Sequence, residues 1–76
     1  MLHIKRIENR SRKLYKWEEK IMRKFIEKNK YNLDVSELRE RDGIIYAGDW
    51  RHPYFFKPRD LIVQEIENLE GGDLND

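Results

Sequence analysis

A mixed α+β domain is what the sequence predicts: a long N-terminal amphipathic helix, a short second helix, a two-stranded antiparallel hairpin and a C-terminal helix. Three observations lead there. The first half carries an apolar stripe of helical period, Asp42-Gly43 forms a turn doublet ahead of Ile44-Ile45-Tyr46, and Pro58 precedes the apolar set Leu61, Ile62, Val63, Ile66 and Leu69.

In the first helix Leu14, Tyr15, Trp17, Ile21, Met22, Phe25 and Ile26 fall within about half of the helical circumference. Ile4 and Ile7 extend the stripe backwards, so the helix runs from near His3 to near Asn29, about 40 Å at ~1.5 Å per residue, or starts later at Ser11. Lys13, Lys16, Lys20, Arg23, Lys24 and Glu27 occupy the opposite, strongly basic face. Next, Asp34 followed three residues on by Glu37 has capping-box spacing, which predicts a helix from Val35 to about Arg41. Gly48-Asp49 breaks the strand that follows Asp42-Gly43, and Tyr54-Phe55-Phe56 reads as its antiparallel partner, bracketed by Pro53 and Pro58. Pro58 suits the first turn of the last helix, where its missing N–H costs nothing, and Gly71-Gly72 supplies the stop. Residues 1–70 thus form one domain, with 71–76 a flexible acidic tail.

Composition narrows the chemistry. Apolar residues make up 38% of the chain and charged residues 41%, enough for a core under an ionic surface. Without cysteine there is no disulfide framework, thiolate metal site or cysteine nucleophile. No apolar run approaches the ~20 residues that span a bilayer, and the basic first fifteen residues lack the apolar stretch of a signal peptide, so a cytoplasmic location is expected. Residues 1–31 hold eleven Lys and Arg against four Glu, net +7, whereas 32–76 hold five basic against eleven acidic residues, net −6. That division favours an anionic partner at the basic end, or the two halves meeting each other.

Catalysis finds little support. His3 and His52 stand far apart with no carboxylate at ligand spacing, Ser11 and Ser36 are the only serines, and no glycine-rich phosphate loop occurs. No metal, no cofactor and no enzymatic activity are expected. Glu18 falls inside the apolar stripe, where a lone carboxylate is costly, so pairing with an Arg, a Tyr hydroxyl or His52 is expected.

Two features point to binding. The Lys/Arg face of the first helix matches the closely spaced charges of a nucleic-acid backbone, with Arg12, Lys13, Lys16, Lys20, Arg23 and Lys24 as phosphate contacts. The segment Trp50 to Arg59 interleaves aromatic rings with cations, and Trp50, Arg51, Tyr54, Lys57 and Arg59 supply stacking and a second charge cluster. The leading expectation is therefore a small accessory protein that binds DNA or RNA. The alternative is a protein-interaction module, an adaptor or an inhibitor of a larger enzyme, anchored by the aromatic hairpin. A third reading is a homodimer through an imperfect heptad of Ile4, Ile7, Ser11, Leu14, Glu18, Ile21 and Phe25.

Overall fold

The computed structural model describes residues 11–75. Its elements are β1 (Arg12–Lys13), α1 (Lys16–Asn29), a 3₁₀ turn (Val35–Glu37), β2 (Leu38–Arg41), β3 (Ile44–Asp49), β4 (His52–Pro58) and α2 (Arg59–Asn75). The strands form one antiparallel sheet in the order β1-β2-β3-β4. This corrects the expected two-stranded hairpin: the sheet has four strands, and among the described residues α-helix occupies two segments.

The corrections have local causes. The long first helix shortens to α1, because Arg12 and Lys13 pair with Glu40 and Arg39 as a strand. The part of the predicted helix from His3 to Arg10, with Ile4 and Ile7, lies outside the described residues. Tyr15 adopts an extended conformation, and its N–H donates to the Glu18 carboxylate at 2.7 Å, half of a capping box that starts α1. Lys30 ends the helix in the left-handed region, with the Lys30 and Tyr31 N–H groups returning to the carbonyls of Glu27 and Ile26.

The second helix is replaced by a single 3₁₀ turn. Asp34 does cap it, accepting from the Ser36 N–H at 3.0 Å, but Leu38-Arg39-Glu40-Arg41 then run on as a strand with Leu38 and Glu40 buried and Arg39 exposed. These are good helix formers, and tertiary pairing overrides so short a propensity. Asp42-Gly43 is the turn between β2 and β3, with positive φ at both residues as a tight two-residue hairpin requires. The sequence reading found this turn and missed the strand before it.

β3 does not break at Gly48 but continues to Asp49, because a bulge absorbs the irregularity. Ala47 pairs with Phe55 and Gly48 with Pro53, leaving Tyr54 as the extra residue of β4. α2 begins one residue after Pro58 and passes through Gly71-Gly72 to Asn75, so the expected stop is not used. Two glycines cost a helix only about 1 kcal/mol each.

Both helices cover one face of the sheet. Met22 and Phe25 of α1, Ile62 and Ile66 of α2, and Leu38, Ile45 and Ala47 of the strands share a core with Leu14, with Ile21, Ile26, Leu33, Val35 and Phe55 against it. Only part of the apolar stripes is used: Tyr15, Trp17, Leu61 and Leu69 remain about half exposed. Among the described residues no helix is long and apolar enough to cross a membrane.

Candidate functional site

Strand alternation sorts the charged residues of β1 and β2 between two environments. Arg12 and Glu40 are register partners on the helix-facing side, in one row with Ile45 and Lys57. Lys13 and Arg39 are register partners on the outer side, in one row with Tyr46 and Phe56. Neighbours in sequence therefore have unlike fates.

On the helix-facing side the charges neutralise one another. The fully buried carboxylate of Glu18 accepts two bonds at 2.9 Å from the Arg12 guanidinium and one at 3.0 Å from Arg59. Arg12 Nε also lies 3.1 Å from Glu40, whose other oxygen accepts the Gly43 N–H at 2.6 Å. Arg59 Nη1 stands 3.8 Å from Glu40 and 3.0 Å from Glu18, and the Arg59 N–H donates to the Gly43 carbonyl at 2.8 Å, tying the start of α2 to the β2–β3 turn. Burial pushes the Glu18 carboxyl upward, but bonds from Arg12, the Tyr15 N–H and Arg59 outweigh it and hold the group at about 2. The same bonds, donated to Glu18, hold the Arg12 guanidinium above its usual pKa. The tyrosine ring of residue 15 stacks on this group, with Arg12 Cζ 3.8 Å from its centroid, and Arg59 Cζ lies 6.0 Å from the Trp17 ring. The pairing expected for Glu18 is thus made with arginines, and the cluster is satisfied within itself.

On the outer side no carboxylate among the described residues pairs with the cations. Lys13 and Arg39 are both exposed, directly opposed across β1 and β2, and neither side chain has an ion-pair partner among the described residues. Like charges so placed repel, and the arrangement is destabilising by itself. Arg41 follows on the same face, its guanidinium 4.9 Å from the Trp50 ring centroid and its buried Nε without a hydrogen-bond partner. Beside them lies an aromatic surface. Tyr46 packs on Trp50 at 4.9 Å and Trp50 on Phe56 at 6.0 Å, while Tyr46 is hydrogen-bonded to the Ser11 hydroxyl. Phe56 is 54% exposed and Tyr54 62%. The Tyr54 hydroxyl donates to Glu37, which holds it above the usual phenol range. Gly48, at φ 92°, leaves room for the Tyr54 ring: a Cβ there would stand 2.8 Å from Tyr54 Cδ2.

The residues expected to bind an anion therefore divide. Lys16, Lys20, Arg23 and Lys24 are exposed on the side of α1 away from Glu18, Met22 and Phe25, hence away from the sheet. Lys13, Trp50 and Tyr54 lie on the outer sheet face and Arg51 is exposed in the β3–β4 turn, whereas Lys57 turns inward with its ammonium 6.0 Å from the Phe25 ring centroid. Arg12 and Arg59 are held by carboxylates. The helix cations and the hairpin aromatics thus occupy opposite sides of a two-layer molecule. Phe56, in the expected aromatic segment, was not among the expected contacts, and Arg39 and Arg41 were missed. The signal for them was the Asp42-Gly43 doublet, since a strand running into that turn would have placed Arg39 and Arg41 on one face.

Among the described residues no three His, Asp or Glu side chains are placed to hold a metal ion. His52 is exposed at the start of β4. Comparison of the chain with family models, curated proteins and solved structures gave no match.

Proposed function

We propose that the protein is a small, non-enzymatic accessory protein that binds nucleic acid through the outer face of its sheet, with Lys13, Arg39 and Arg41 toward phosphates and Trp50, Tyr54 and Phe56 toward bases. The single observation that carries the reading is the Lys13–Arg39 pair, two exposed cations opposed across neighbouring strands with no ion-pair partner among the described residues. A phosphate placed over that pair removes the repulsion and releases the counterions condensed on the polynucleotide. The adjoining aromatic surface adds π-faces that bases stack on irrespective of sequence.

Binding of a fluorescently labelled oligonucleotide, followed by anisotropy across a salt series, tests this. Three phosphate contacts give a log–log salt slope of about −2 to −3. Lys13→Glu with Arg39→Glu abolishes binding, while Lys16→Glu with Lys20→Glu and Arg23→Glu on α1 leaves most of it. The reverse pattern moves the interface to the helix, and insensitivity to both sets rejects the reading.

Exposure of Phe56 and Tyr54 together favours a second reading, a protein partner seated on the same face, because aromatic side chains anchor protein interfaces. Such a partner is lost on Phe56→Ala and depends only weakly on salt.

A further inference from the structure

We infer that Tyr54 and Phe56 form a two-base stacking platform that selects unpaired over base-paired strands; the inference rests on the nucleic-acid reading above and adds to it the conformation of the ligand. The β4 bulge is the starting point. Tyr54 is the extra residue of the strand, and a bulge re-aims the side chain it carries. Here it brings the Tyr54 ring over Gly48, whose missing side chain makes the space, and the bond to Glu37 fixes the hydroxyl end. Two constraints on one exposed ring set its position before any ligand arrives. Phe56 stands two residues on along the same strand, tilted against Trp50 and also more than half exposed.

Two residues of strand advance about 6–7 Å. The rings therefore lie side by side on the sheet and accept two bases side by side. Successive bases of a duplex are stacked on one another at about 3.4 Å and turn only their edges outward, so a duplex has no base face to offer such a platform. A single strand, whose bases splay apart, does. Charge fixes which end of the nucleotide goes where. In the row Lys13, Arg39, Tyr46, Phe56 the two cations occupy the β1–β2 end and the exposed ring the β4 end. Two strand spacings, about 10 Å, separate Arg39 from Phe56. Phosphates accordingly track β1 and β2 while bases rest on β4.

The test compares three labelled ligands of equal length at about 50 mM salt: a mixed-sequence single strand, the same sequence as a duplex, and a single strand abasic at every position. The intact single strand is expected to bind at least tenfold tighter than either of the others. Tyr54→Ala and Phe56→Ala each weaken the intact strand roughly five- to 150-fold and leave the abasic strand unchanged. Tyr54→Leu and Phe56→Leu keep apolar cover over the sheet without a stacking ring, so loss in these variants too separates stacking from local damage. Duplex binding as tight as the single strand, an abasic strand as good as the intact one, or unchanged affinity in the ring variants overturns the platform and leaves nucleic-acid binding standing. Failure of all three ligands to bind takes down the nucleic-acid reading itself.

Discussion

The two faces of the β1–β2 ladder differ by a one-residue step in sequence and by almost everything else. Arg12 is half-buried against Glu18 and Glu40, whereas Lys13, its neighbour, is exposed. Glu40 closes the inner network, whereas Arg39 and Arg41 on either side of it face outward and pair with no carboxylate among the described residues. The lesson is that the net charge of +1 hides a fold in which two acids, Glu18 and Glu40, are spent inside the molecule while Lys13, Arg39 and Arg41 are left on the outer sheet face. Matched charges define how α1, α2 and the sheet fit together, and unmatched ones are free to meet a ligand.

Breaking the inner network has the largest expected effect. Glu18→Ala leaves two guanidinium groups beside the core with Glu40 alone between them and costs about 3 kcal/mol, read from urea unfolding. Replacing Arg12, Glu18 and Arg59 together by apolar residues of similar volume is expected to cost far less, because the desolvation of the ions disappears with the ions. Should Glu18→Ala cost under ~1 kcal/mol, the inner and outer charges are alike and the contrast fails.

Acid probes the same carboxylate without mutation. Its folded value of about 2 lies below the ordinary 4.5, so the stabilisation is complete above about pH 4.5 and is lost as pH falls toward 2. The depression corresponds to about 3 kcal/mol. Thermal melts between pH 6 and 2 should therefore show a fall that Glu18→Gln largely removes.

Gly48 sharpens the outer side of the comparison. Gly48→Ala puts a Cβ against the Tyr54 ring at a positive φ and is expected to cost about 1–3 kcal/mol while weakening single-strand binding, measured on the same preparation. Smallest and of opposite sign is Lys13→Glu. Placing an acid opposite Arg39 converts repulsion to attraction and gains about 0.2–1 kcal/mol of stability, even as affinity for an oligonucleotide drops. Stability and binding moving in opposite directions is the outcome that a purely structural outer face does not produce.

Local signals in the chain already carried several things: an α+β class, a first helix that ends near Asn29, the turn at Asp42-Gly43, the hairpin partner around Tyr54-Phe55-Phe56, a helix after Pro58, and a Glu18 that needed a partner. Each is a local signal, carried by residues within a few positions of one another. What the chain could not announce was pairing at a distance. Arg12-Lys13 and Leu38–Arg41 hold two and four strand residues, too few for any period to declare itself, and their residues favour helix. Only when β2 pairs with both β3 and β1 does the choice fall to strand, and that choice is what sends Arg39 and Arg41 outward and Glu40 inward. A two-residue period turns every strand assignment into a decision about faces. The surface proposed for binding was therefore decided by tertiary hydrogen bonding, whereas the turns and helices that frame it were written in the order of the residues.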